Sequence, residues 1–425
     1  MPRIIFRPNP VPPPFPPPSP TGDYLTFVAK QANCSISLVK TGSGNDVVLE
    51  YSTNNGKSWD PYNIGTVLQL PNDGDTLLFK GNNETFTTQS TQFKFEITGQ
   101  MECHGDVTSL LNGSGGVNEI PDWCFGYLFQ YCNSLLTAPS LPSITLGKMC
   151  YISMFANCTS LRLAPDLPAT ALNESCYNNM FNGCSSLTQA PEILATHLPL
   201  QSCYRMFYNC TALNTAPSLN ATSVGQSACQ QMYNGCTALT IAPALPATEL
   251  AKECYSNMFA GCNHLTQAPL LPATTLQEGC YKNMFTGCNM LTQAPSLPAT
   301  NLAKDCYLAM FINCSALTQA PSLPATILQP SCYKQMFQNC TSLTTAPELH
   351  ATTLATSCYE SMFRSCSSLN YVKAMFLTTP GYSYTRYWLE NVAAIGTFVK
   401  NSQATWEVSG IDGIPSGWQV QTADN

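Results

Sequence analysis

Charge is scarce in this chain. Of its 425 residues only 10% are Asp, Glu, Lys or Arg, and the formal net charge is −7. With 18 basic residues against 25 acidic ones and no basic stripe, nothing is arranged to neutralise a phosphate backbone. Nucleic acid is therefore not an expected partner. Long apolar runs are missing as well: none approaches the roughly 20 residues that a membrane-spanning helix needs. Histidine is rare, and His104, His197, His264 and His350 follow no pattern. There is no Gly-rich phosphate loop, nucleophile elbow or His-Glu-x-x-His. Carboxylates stand singly, as at Asp166, Glu192 and Glu348, and nothing marks an acid/base pair. These absences predict a protein that is not an enzyme and holds no metal or cofactor. The first residues also lack the apolar stretch and small-residue cleavage site of a signal peptide. A chain made without that export route is the expectation.

In place of charge the chain carries Ser, Thr, Asn and Gln, which keep a surface soluble without long-range fields. Proline is abundant at the start, where it makes up ten of the first twenty residues. Such a run cannot be helical and favours an extended polyproline arm over residues 1–22. At its tip Ile4, Ile5 and Phe6 stand between Arg3 and Arg7, and Phe15 follows among prolines. Apolar groups so placed gain nothing in water and would be buried if the arm lay on another protein. Spacer and anchor are both open readings, and the anchor reading makes these six residues the grip.

Residues 23–104 read as β. Stretches such as YLTFVA, CSISLVK and VVLEYST alternate with period two between Gly/Asn/Asp clusters. YSTNNGKSW places Asn55-Gly56 between two of them, a hairpin signal. Ser52, Asn54, Gly56, Ser58 and Trp59 resemble the Asp-box hairpin with Asn in the aspartate place, a motif of folding rather than chemistry. A small all-β sandwich domain is the expected unit.

From about Pro121 a repeat takes over. The second cysteine of each unit falls at 132, 158, 184, 210, 236, 262, 288, 314, 340 and 366, ten units with a constant step of 26 residues. The consensus is C-Y-x-x-M-F-x-x-C-x-x-L-T-x-A-P-x-L-P-A-T-x-L. Leu250, Cys254, Met258, Phe259 and Cys262 lie at offsets that suit one face of an α-helix. Thr248 suits its N-cap, and Glu249 and Glu253 suit its positive end. Gly or Asn just before the second cysteine, as at Asn157, Gly183 and Gly261, suits the left-handed residue that ends a helix. The following Leu-Thr-x-Ala-Pro leaves room only for a short strand. The expected architecture is thus an α/β solenoid of ten 26-residue leucine-rich units over residues 105–371, closed by a cap at 372–425.

Twenty of the 22 cysteines lie in the repeats. Their spacing of eight lacks the Cys-x-x-Cys knuckles of zinc sites. On a straight helix it would hold the pair about 12 Å apart, beyond disulfide reach. Ser202 and Ala228 replace the first cysteine in two units, with Cys203 and Cys229 in the tyrosine place. Reduced core filler is the favoured reading, with cross-repeat disulfides as the alternative.

The units resemble the BspA-type leucine-rich repeats of bacterial surface proteins, over about residues 121–371. The β domain in front and the closing segment add to a layout that looks like proteins encoded by gut Bacteroidales and their crAss-like phages. The family implies adhesion or ligand binding. Two functions follow as expectations. One is a virion surface protein, a phage head fibre or capsid decoration gripping the capsid or another virion protein through its arm. The other is a bacterial cell-surface adhesin. In either case Thr188, Gln189, Thr266, Gln267, Thr292, Gln293, Thr318, Gln319 and Thr344 would form rows on successive strands. They would bind a host-surface or mucosal glycan or protein, unless the rows only solvate the sheet. Homo-oligomerisation stays open.

Overall fold

The computed structural model describes residues 23–217 and 219–423. The anchor candidates Arg3, Ile4, Ile5, Phe6, Arg7 and Phe15 lie outside the described residues. Eight strands come first: β1 Leu25–Ala29, β2 Cys34–Gly42, β3 Leu49–Ser52, β4 Asp60–Pro61, β5 Leu68–Leu70, β6 Thr76–Gly81, β7 Thr91–Thr98 and β8 Met101–His104. They pair antiparallel in two sheets, β8-β1-β6-β3-β4 and β5-β2-β7. Phe27 of β1 and Phe79 of β6 meet Phe95 of β7 with ring centroids 5.1 and 5.4 Å apart, which ties one sheet to the other. At the Asn-Gly turn both residues take positive φ, 57° at Asn55 and 78° at Gly56. Around it Asn54 accepts from the Ser58 amide at 3.0 Å and Ser52 Oγ accepts from the Gly56 amide at 3.0 Å. That hairpin is knitted by its own polar side chains.

The repeats form a solenoid of stacked coils with almost no helix. A single helical turn, Ser109–Asn112, is the only α-helix among the described residues. This corrects the α/β expectation: no unit carries a helix. The segment expected to be one is a chain of tight turns instead. In the coil that starts near Thr145, the amides of Ile152, Met154, Ala156 and Cys158 bond to the carbonyl three residues back, at 3.0–3.1 Å. The alternate amides of Tyr151, Ser153, Phe155 and Asn157 leave the coil altogether. They bond to the carbonyls of Cys176, Asn178, Met180 and Asn182, all in the next coil. Every fourth residue is left-handed: φ is 54° at Met149, 51° at Ser153 and 62° at Asn157. The same triplet recurs at Glu253, Asn257 and Gly261.

The misreading has a physical source. In an α-helix, residues four apart drift by about 40° around the axis, so a buried face must alternate steps of three and four. Cys254, Met258 and Cys262 are instead spaced four and four, and all are fully buried. Four residues per turn is the period of this turn chain, in which the left-handed residue resets the direction each time. The left-handed position before the second cysteine is where the sequence placed it; the helix before it is not. Thr248 caps nothing helical, since Glu249–Leu250 is a strand paired in parallel with Ser223–Val224, and Glu253 is itself left-handed at 54°.

Side chains stack as the backbone does. Phe129, Phe155, Phe181, Phe207, Tyr233 and Phe259 form a column with neighbouring centroids 5.3–5.7 Å apart and planes within 6°. A second column of Tyr255, Tyr281, Tyr307, Tyr333 and Tyr359 runs beside it at 5.8–6.1 Å. Burying such rings is worth about 2 kcal/mol each, set against the entropy of ordering them. Phe95 stacks on Phe129 at 5.6 Å, so the core of the first strands runs without a break into the coils. All 22 cysteines are buried and unpaired.

Winding continues past the tenth unit. Tyr371–Ala374 pairs in parallel with Thr397–Asn401, and that strand pairs in parallel with Gln419–Ala423. At the other end Leu135–Thr137 pairs in parallel with β8.

Candidate functional site

The residue after each core leucine begins a ladder that runs the length of the solenoid. Parallel bridges join Thr137 to Leu163, Leu163 to Gln189 and Gln189 to Thr215. The same register joins Ile241 to Gln267, Gln293 to Gln319 and Thr345 to Tyr371. Strands paired in this way lie about 4.8 Å apart. Thr188, Gln189, Thr266, Gln267, Thr292, Gln293, Thr318, Gln319 and Thr344 are all exposed on it. Thr266 through Thr345 form an unbroken polar run over four coils. Thr188 and Gln189 stand apart from that run, because Asn214-Thr215 and Thr240-Ile241 intervene, and Ile241 is 56% exposed.

Threonine and glutamine play different parts here. The hydroxyl of Thr266 donates to the Thr240 carbonyl at 3.1 Å, and that of Thr318 to the Thr292 carbonyl at 3.3 Å. These hydroxyls brace the ladder, while their lone pairs remain able to accept from a ligand. The side-chain amides of Gln189, Gln267, Gln293 and Gln319 make no hydrogen bond among the described residues. They are held in rows by the backbone and have donors and acceptors free.

The ladder ends in a hollow of about 390 Å³ bounded by Tyr371, Ile395, Thr397 and Gln419. Ile395 is 79% exposed. The candidate list from the sequence omitted these residues. Tyr371 stands one period after Thr345, and Thr397 one period after Tyr371, so extending the repeat into the final segment would have found both.

Charge on the coils is arranged pairwise along the stack. Lys148 meets Glu174 at 3.5 Å, Lys252 meets Glu278 at 3.2 Å, and Lys334 meets Glu360 at 3.0 Å, each pair one coil apart. Exposed pairs of this kind contribute little each; their use is in matching one coil to the next. Glu278 and Asp305 both lie near Lys304, at 4.0 and 3.9 Å. Among the described residues, no three His, Cys, Asp or Glu side chains converge as a metal site would need. No helix among them is long and apolar enough to cross a membrane.

No protein-family model matches the chain. No curated protein matches it either. Among solved structures one match is the crystal structure of a TLR13–ssRNA13 complex, at 14% identity and a TM-score of 0.30. It covers 74% of this chain and 47% of that one, so the chain spans about half the length of the structure it matches. A superposition so loose carries no argument about fold or ligand.

Proposed function

We propose that this is a non-enzymatic binding protein of the leucine-rich-repeat kind, which presents the Thr–Gln ladder to a neutral polar ligand on a host surface. The observation that carries this reading is the set of exposed, unpartnered glutamine amides held in register on successive coils. A coil rise of about 4.8 Å is close to the length of one sugar unit in an extended glycan, so each coil can address one unit with the same pair of residues. Many modest hydrogen bonds repeated in this way give affinity by number. The residues Arg3, Ile4, Ile5, Phe6, Arg7 and Phe15 would fix the chain to a larger particle, a phage capsid in the reading favoured here, with a bacterial surface as the alternative. Unpaired thiols in every coil of the repeat suit folding in a reducing compartment, as assembly of a particle inside a cell requires.

The test is binding of the purified chain to mannan, dextran and mucin, with a variant in which Thr266, Gln267, Thr292 and Gln293 are all alanine. Loss of binding with an unchanged melting temperature is expected. Full binding by that variant would leave the ladder with a structural role alone. Whether a chain lacking residues 1–22 still joins a capsid fraction separates the virion reading from the adhesin one.

A further inference from the structure

A second cleft lies on a different ladder of the coils. It is about 400 Å³ in volume and runs over Ser223, Val224 and Gly225 towards Thr248, Glu249 and Thr275. Its place is tied to an irregularity in the core. The tyrosine column stops at Tyr177 and resumes at Tyr255, and the two positions between them are Cys203 and Cys229. The same two coils hold Ser202 and Ala228 where their neighbours hold cysteine. The second of them also has Val224 where Leu198, Leu250 and Leu276 stand in the flanking coils. Two adjacent coils have thus given up ring and methylene volume, in a core where space is otherwise filled.

The backbone here is close-set. Gly225 donates its amide to the Leu198 carbonyl at 2.7 Å, and a Cβ on Gly225 would come within 2.8 Å of that oxygen. Here, too, strand pairing on this side runs across three successive coils: His197 pairs with Ser223, and Ser223 with Glu249. A low coil between two fuller ones makes a cleft with its own walls.

The lining has a definite chemistry. Glu249 is exposed and has no ion pair among the described residues; Lys252, three residues on, pairs instead with Glu278 at 3.2 Å. No lysine or arginine lines the cleft, so it offers nothing to an anion. Ser223 and Thr275 hydroxyls face it with the Gln277 amide, over an apolar floor that includes Val224. An apolar ligand would leave those polar groups without partners. A carboxylate accepts well from two adjacent hydroxyls, and charge-assisted bonds of this type are the strong ones. The volume is that of a small-ligand site.

We infer that this cleft is a separate binding site for a saccharide unit without negative charge, with Glu249 as its principal acceptor. It does not rest on the Thr–Gln ladder. The test uses the full chain and calorimetric titration with malto-, cello-, xylo- and chito-oligosaccharides, with polygalacturonate and heparin as anionic probes. At least one neutral oligosaccharide should bind, and the anionic probes should not. Glu249→Gln, which keeps the shape, should weaken that binding by roughly tenfold or more, as loss of a charged acceptor does. Ser223→Phe, which fills the cleft, should abolish it, and the fourfold alanine variant of the Thr–Gln ladder should keep it. Thermal melts of each variant report whether it folds. Three results overturn the inference: no neutral oligosaccharide binds, an anionic probe binds better, or binding survives both cleft variants. Binding lost only in the ladder variant would sink this site and leave the ladder reading intact.

Discussion

The thiol of Cys262 donates a hydrogen bond to the carbonyl oxygen of Tyr233, 3.1 Å away and 29 residues back in the preceding coil. The same bond recurs from Cys184 to Phe155, Cys314 to Phe285 and Cys366 to Phe337, at 3.0–3.1 Å. The second cysteine of each unit therefore does more than fill space: it satisfies a carbonyl that the turn chain leaves open. Cys262→Ala should cost about 2–3 kcal/mol, part lost packing and part an orphaned carbonyl. Cys254→Ala should cost less, since Ala228 already stands in that column. Equal melting temperatures for the two variants would show that the bond is idle.

Alkali should unfold this protein early. Burial pushes the thiols of Cys184, Cys203 and Cys262 up to about 12 from an ordinary 9.0, and raises Cys229 and Cys236 likewise. Above pH 9 an unfolded chain ionises these thiols while the folded one holds its protons. The unfolded state then binds fewer protons, so stability falls as pH rises from about 9 towards 12. Each thiol removes about 1.4 kcal/mol per pH unit in that window. With many thiols acting together, circular dichroism should show a fold that is steady at pH 8 and lost before pH 11. A flat signal through pH 11 would contradict the assignment.

The tyrosine column carries hydroxyls with no protein partner. Those of Tyr151, Tyr255, Tyr281 and Tyr333 are buried and make no hydrogen bond among the described residues. Phe125 already heads the column, stacked on Tyr151 at 6.2 Å. Tyr281→Phe should therefore leave stability unchanged or raise it by up to about 1 kcal/mol. A loss in thermal denaturation would mean that these hydroxyls are held after all.

Left-handed positions offer a matched pair of substitutions. Ala309 has φ 53°, a region that costs an L-residue about 1–2 kcal/mol. Ala309→Gly should stabilise by roughly 0.5–1 kcal/mol once the flexibility of glycine is set against that strain. Gly261, with φ 75° and its nearest neighbours 3.7 Å from a built Cβ, has room for a methyl but the wrong dihedral. Gly261→Ala should destabilise by about 1 kcal/mol. Melts in the same direction for both would refute the turn-chain geometry.

Much of the candidate ladder was legible, because Thr188, Thr266 and Thr318 recur at a constant period and any stack with that period places them in rows. Tyr371 and Thr397 belong to the same rows but lie beyond the last consensus unit, where residue identity changes and only register persists. The cleft at Glu249 had a sequence signal, the displaced Cys203 and Cys229. That signal reads as core tolerance until the surface above it is seen.

By itself the sequence determined the repeat period, the left-handed site before each second cysteine, the Asn55-Gly56 hairpin and the buried, unpaired character of the thiols. These are local choices: Gly and Asn accept positive φ, and cysteine is small and apolar. Only the tertiary structure decided between helix and turn chain. Over a short segment a period of four and one of 3.6 look alike, and what separates them is the partner of each amide. For Tyr151 that partner is the carbonyl of Cys176, in the next coil. A hydrogen bond to the next coil forms only when the next coil is already stacked, so no reading of one unit alone could have shown it.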